Sequence, residues 1–234
     1  MNYSRRETLE LSATALAALS LGVATQAAAQ GAPAAPQPDT LAPAQLRTIA
    51  DLPLRPDGSA VEFTPADVGT IQGRPFWKTM GTPDIEFDPR KMKVKVDGRG
   101  TSTLAGTLTF SDLEKLPRMS AIYKLQCGAP QPTGIVKWTG VRFSDFAQMV
   151  GAQSFANHVR TIGSDLYYLE EDMKTLMHPQ VMLAWMMNDA PIPPQHGAPL
   201  RLIVPFRYGA RSMKAITDIQ FTATSFPPAR PWQT

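Results

Sequence analysis

The chain reads as an α+β protein. Short strand patterns interleave with short helical patterns, without the regular strand–helix–strand rhythm that builds a parallel sheet. The alternations of apolar and polar residues end quickly in turn signals, and the helical stretches are closed by capping residues, Gly or Pro. No internal repeat interrupts this pattern, and the hydrophobic content of 43% suits one globular core.

The elements follow in order. Lys91 to Val96 alternates strictly and predicts a strand with one wet face, turned by Asp97-Gly98. Thr107 to Phe110 predicts a second strand. Ser111-Asp112-Leu113-Glu114 has the form of a capping box, opening a helix that ends by Pro117. Ala121 to Gln126 predicts a buried strand with Cys127 at its end, and Ile135 to Trp138 leads to Gly140-Val141-Arg142-Phe143. Ser144 is placed to cap a helix over 145–150, stopped by Gly151. Val159 to Ile162 is strand-like, and Glu170 to Met177 is expected to be helical. Val181 to Met187 is apolar and expected to be buried, ahead of a turn at Asn188-Asp189-Ala190-Pro191. Alternation at Leu200, Leu202 and Val204 and a last strand over 214–222 complete the pattern.

Upstream, the 234-residue chain divides by composition. Ser4-Arg5-Arg6-Glu7-Thr8-Leu9-Glu10 precedes a weakly apolar run and Ala27-Ala28-Ala29, the pattern of a cleaved export signal over residues 1–30. The paired arginines resemble the twin-arginine signal, and the departures at Thr8 and Glu10 leave the general secretory route as the alternative. The run is too short and too rich in Ala, Ser and Thr for a stable membrane span, so none is expected once the leader is cleaved. Residues 31–56 form a Pro/Ala-rich linker. A single domain is expected over 57–228, with its core at 91–222 and irregular wrapping at 57–90. The formal net charge is +3, with no basic stripe interleaved with aromatics, which argues against nucleic acid as a partner.

Cys127 is the single cysteine. It is either a small core residue or one ligand to a group held mainly by other contacts. Four segments bear on that choice: Leu125-Gln126-Cys127; Val136-Lys137-Trp138-Thr139-Gly140-Val141; His178-Pro179-Gln180 with Pro193-Pro194-Gln195-His196-Gly197-Ala198-Pro199-Leu200-Arg201-Leu202; and Arg207-Tyr208-Gly209-Ala210-Arg211-Ser212-Met213-Lys214. In this order they resemble the molybdopterin-binding domain of the sulfite oxidase superfamily, most closely the periplasmic protein-methionine-sulfoxide reductase branch. The resemblance implies a sulfite oxidase-type, barrel-like mixed-sheet domain with short helices, and one molybdenum–molybdopterin per chain. It makes Cys127 the thiolate ligand to molybdenum, and thiolate is a soft, strongly donating ligand suited to such a centre. It assigns His196, Arg201, Arg211, Ser212, Met213 and Lys214 to the cofactor. Tyr208 and Arg207 are candidates on the substrate side, Tyr208 as a catalytic residue. Gly209 is expected to let the backbone approach the cofactor closely.

The expected activity is oxygen-atom transfer, most simply reduction of a sulfoxide or N-oxide in the periplasm. The alternatives are a sulfite-oxidising enzyme, a non-catalytic binding module that kept the fold, or a general thiol protein. The segment after Cys127, Gly128-Ala129-Pro130-Gln131-Pro132, lacks the Asn and Arg of sulfite oxidases and the Val-Glu-Gly-Trp of the reductases. With no Cys-x-x-Cys-His motif and one cysteine, electrons are expected from a separate partner, a haem-bearing membrane subunit or a cytochrome. Trp138, Met182, Met186 and Met187 read as core, His178-Pro179 as structural, and His158 as surface.

Overall fold

Strands form where the alternation is strict. The computed structural model describes residues 52–71, 85–128 and 131–225. Strand β1 (Lys93–Asp97) buries Val94 and Val96 and leaves Lys93 and Lys95 in water, the pleat's two-residue period made visible. It pairs antiparallel with β2 (Gly106–Thr109) and parallel with β10 (Ile216–Thr222). β5 (His158–Gly163) and β6 (Tyr168–Asp172) extend this sheet, in the order β2-β1-β10-β5-β6.

The second sheet is built on a long hairpin of β3 (Arg118–Gln126) and β4 (Thr133–Arg142), in register from Arg118↔Val141 to Gln126↔Thr133. Strand β7 (Met182–Met187) joins β4, and its far edge serves β8 (Ala190–Pro191) at one end and β9 (Arg201–Ile203) at the other. β7 is apolar on both faces because both are covered. Leu183 and Trp185 enter a core shared with the first sheet, where they join Val94, Val96, Val159, Ile219 and Phe221. Met182 and Ala184 enter a second core on the opposite side, with Ala121, Tyr123, Leu125, Val136, Trp138 and Ile203. Residues 52–71 run across that side as a largely irregular strap that adds Ala60 and Ile71 to it.

Among the described residues there are three short α-helices: α1 (Phe110–Leu113), α2 (Phe143–Met149) and α3 (Met173–Leu176). The capping box of α1 lies two residues earlier than expected. Thr109 is the cap, and Asp112 accepts its N–H at 2.9 Å. Helix α2 begins at Phe143 without a side-chain cap, so Ser144 lies inside it, and Gly151 closes it at φ +66.

The helix expected over 170–177 is a correction. Residues 168–172 are β6, paired with β5 from Ile162↔Tyr168 to His158↔Asp172, and the helix covers 173–176 alone. The N-cap decides this. Asp172 accepts the Thr175 N–H at 2.7 Å, so the helix starts after it. The leader (1–30) and the linker as far as residue 51 lie outside the described residues. Among the described residues, no helix is long and apolar enough to cross a membrane.

Candidate functional site

The hairpin β3–β4 delivers Cys127 at a fixed point. The Cys127 N–H donates to the Pro132 carbonyl at 3.0 Å, and the Nε2 of the buried Gln126 side chain donates to the Cys127 carbonyl at 3.1 Å. Both backbone groups of Cys127 are thereby committed. Cys127 is partly exposed and lines a cleft of about 720 Å³, open mouth included. Four other stretches complete the lining: the strap at Ile71, the β5–β6 turn at Asp165 and Tyr167, His196 with Arg201, and the segment 209–214.

Arg201 is the central cation. Its register partner on β7 is Ala184, so its side chain turns toward the second core, away from Leu200 and Leu202. That core is covered, and Arg201 is 2% exposed. Its Nη1 donates to the His196 carbonyl at 2.6 Å and its Nη2 reaches Ser212 O at 3.5 Å, while Nε has no partner among the described residues. The guanidinium lies over the Trp138 ring at 5.2 Å. It forms no ion pair among the described residues. Burial pushes its pKa down to about 10.

Lys214 donates from Nζ to the Gln195 carbonyl at 2.7 Å. Burial, then the neighbouring Arg201, push its pKa down to about 8, while Asp165 and Cys127 pull the other way. Burial, with Arg201 and Lys214, pushes His196 down to about 4, so its imidazole is neutral at pH 7. The cleft therefore gathers two cations that burial penalises, Arg201 and Lys214, with Asp165 as an opposing charge on the Lys214 side. An arrangement of this kind matches an anionic ligand.

A family model described as the oxidoreductase molybdopterin binding domain matches residues 79–229. The chain belongs to this family.

Individual relatives agree with the family. The putative protein-methionine-sulfoxide reductase subunit YedZ1 of Azospira oryzae is 30% identical over 154 residues, covering 65% of this chain and 57% of that protein. The protein-methionine-sulfoxide reductase catalytic subunit MsrP of Campylobacter jejuni is 29% identical, covering 63% of this chain and 54% of its own length. Mitochondrial sulfite oxidase of Drosophila melanogaster is 28% identical, over 62% of this chain and 29% of that protein. The chain thus spans little more than half the length of the first two. Among solved structures, the sulfane dehydrogenase SoxCD of Paracoccus pantotrophus superposes with a TM-score of 0.53 at 21% identity, over 60% of this chain and 40% of that one, which shows the shared fold.

The residues present fit the family's cofactor. A pterin that ends in a phosphate needs fixed cations and hydrogen-bond donors, and the unpartnered Nε of Arg201 is a buried donor of this kind. Among the described residues no group of three His, Cys, Asp or Glu gathers to hold a metal.

Of the residues singled out by sequence, Cys127, His196, Arg201, Ser212, Met213 and Lys214 line this one cleft. Ser212 is turned inward, its Oγ accepting the Val204 N–H at 3.1 Å, and Met213 also packs into the shared core. Gly209 lines the cleft beside the end of β3, where an added Cβ would stand 3.4 Å from Gln126 O.

Arg211 and Tyr208 depart from expectation. The Arg211 guanidinium bonds Glu171 and the Glu170 carbonyl on β6, because the tight turn at Gly209–Arg211 rotates it away from Ser212 and Lys214. Tyr208 is exposed and is not among the cleft-lining residues, and exposed Arg207 lies in the field of Asp172. Sequence reasoning missed Asp165 and Tyr167. They sit on a β-hairpin turn whose second strand had been read as helix. The signal was Gly163-Ser164-Asp165, a turn cluster between two alternating stretches.

Proposed function

We propose that this domain holds one molybdopterin in the basic cleft, with Cys127 as the thiolate on molybdenum, and that it reduces a sulfoxide- or N-oxide-type substrate. The observation that carries the reading is Arg201, a guanidinium sunk beneath the protein surface with one donor unmatched and no carboxylate partner. A buried cation of this sort is costly unless a ligand supplies the missing anion. The cofactor, when bound, supplies the two-electron redox chemistry of oxygen-atom transfer.

The chain's own residues bind and orient. Arg201 and Lys214 neutralise the anionic end, and neutral His196 acts as a hydrogen-bonding group. The Gln126 and Pro132 bonds hold the Cys127 backbone still. Ile71, Pro132, Tyr167 and Ala210 supply walls that favour a substrate without charge. Reduction of a sulfoxide to a sulfide consumes two electrons and two protons and releases water. The electrons come from a separate haem protein, and the leader sends the chain to the periplasm. The names of the reductase relatives support this direction of transfer.

The test is the molybdenum and pterin content of the exported protein, followed by turnover with sulfoxides, N-oxides and sulfite. Near-stoichiometric molybdenum with sulfoxide or N-oxide reduction is the expected result. Protein lacking both molybdenum and pterin, from a host that makes the cofactor, overturns the reading. Sulfite oxidation without reduction of either oxide reverses the assigned direction.

A further inference from the structure

The strap that walls the cleft is attached differently from the rest of the second sheet. Among the described residues, backbone bonds dock it at two places: Phe63 N–H donates to Ile122 O at 2.9 Å, beside the Glu62–Tyr123 bridge, and Gly69 N–H donates to Ile135 O at 2.9 Å. Side-chain amides from the two ends of β7 add further attachments. Gln180, two residues before β7, accepts the Ala60 N–H at 2.8 Å and donates to the Ala60 carbonyl at 2.9 Å, imitating a strand pair. Asn188, immediately after β7, accepts the Lys137 N–H at 2.9 Å and donates to the Gly69 carbonyl at 2.8 Å, bridging β4 to the strap. Little apolar surface secures the segment. Within residues 52–71 only Ser59 and Ala60 are buried. The strap's end is nonetheless a functional position, because Ile71 is both a wall of the cleft and a neighbour of the second core. The fit there is close. A Cβ on Gly134 would stand 2.7 Å from Ile71 Cα and from Thr70 O.

We propose that residues 60–71 form a detachable wall of the cleft, clipped shut by Gln180 and Asn188, through which the bound molecule enters and leaves. A segment with few buried apolar contacts and few bonds opens at a free energy well below that of global unfolding. Opening it removes Ile71 from the cleft and uncovers one side of the second core, while the pairing of β3, β4 and β7 stays in place. The residence time of the bound group is then set by two amide side chains outside the lining. The inference rests on the reading that the cleft holds a pterin cofactor.

Hydrogen exchange of the purified holoprotein, together with the rate of pterin release read by fluorescence, tests it. In the wild type, the Phe63 and Gly69 amides should exchange faster than Val136 in the middle of β4. Asn188→Asp keeps the acceptor for Lys137 N–H, removes the donor to Gly69 and sets a carboxylate oxygen against the Gly69 carbonyl. It should speed strap exchange and pterin release together by roughly five- to tenfold, the factor expected for one lost hydrogen bond. Gln180→Met and Gly134→Ala, which loosen the strap by unrelated means, should do the same while Val136 exchange stays unchanged. Strap amides that exchange no faster than Val136 in the wild type overturn the proposal. So does pterin release at the wild-type rate from variants whose strap amides exchange faster. Wild-type protein without pterin would overturn the functional reading and this one with it, whereas pterin that leaves at a clip-independent rate overturns this one alone.

Discussion

Arg201 on β9 and Arg211 on the turn ten residues later come from one basic stretch of sequence, yet the fold treats them in opposite ways. Arg201 faces a covered core with no carboxylate to meet it. Arg211 reaches across to Glu171, itself only 8% exposed, and holds β6 to the cleft-side segment. The first cation is an unmet demand for an anion, and the second is a latch whose demand is already satisfied. A basic residue in a binding motif is a ligand group only where the fold withholds its counter-charge.

The sharpest tests of this contrast start at the metal position. Cys127→Ser should abolish activity and molybdenum retention while leaving the urea midpoint close to wild type, because the position is partly exposed and its two backbone bonds remain. Activity in that variant would remove the reason for calling the neighbouring cations a cofactor site. Next, Arg201→Met should lower pterin content roughly tenfold or more, the loss expected for charge-assisted bonds, while the cofactor-free protein becomes no less stable. A large loss of apoprotein stability would make Arg201 structural and collapse the distinction. Arg211→Met should behave in reverse. It should cost about 1–3 kcal/mol in urea unfolding through the stranded Glu171, with pterin content of the folded protein unchanged.

Gly197→Ala sits between the two. Its φ of +106 and the Lys214 Cγ at 2.8 Å from an added Cβ predict about 1–2 kcal/mol of destabilisation together with weaker cofactor retention. The smallest effect is on pH dependence. The Lys214 pKa is lowered in the fold to about 8 from 10.5, so the unfolded chain binds more protons between those values, and apoprotein stability gains a component that rises with pH across that window. His196, lowered to about 4 from 6.5, adds a rise between pH 4 and 6.5. Urea titrations of the apoprotein should show the alkaline rise reduced in Lys214→Met and unchanged in Arg211→Met.

The sequence made some of this legible and left some of it hidden. Cys127, His196, Arg201, Ser212, Met213 and Lys214 share one cleft, and their order along the chain pointed to them before any geometry was known. Arg211 belongs to the same motif, but its partner Glu171 lies forty positions away in sequence, on a strand that had been read as helix. Glu170 to Met177 contains good helix formers, yet pairing with β5 and the cap at Asp172 outweigh that propensity. The same error hid Asp165 and Tyr167, since a hairpin turn exists only when both of its strands are recognised.

Local chemistry determined the strands with strict alternation, the helix-ending glycine at Gly151 and the lone cysteine at a strand end. Each depends on residues within a few positions of one another, so the chain alone carries the information. Alternation also placed Arg201 on the face opposite Leu200 and Leu202. Only the tertiary structure decided that this opposite face is not water. There, Trp138, the Pro194–His196 turn and the 212–214 segment close around the guanidinium and leave its Nε unmatched. Burial and charge pairing are properties of distant segments brought together, and they separate the arginine with an unmatched donor among the described residues from the one paired with Glu171.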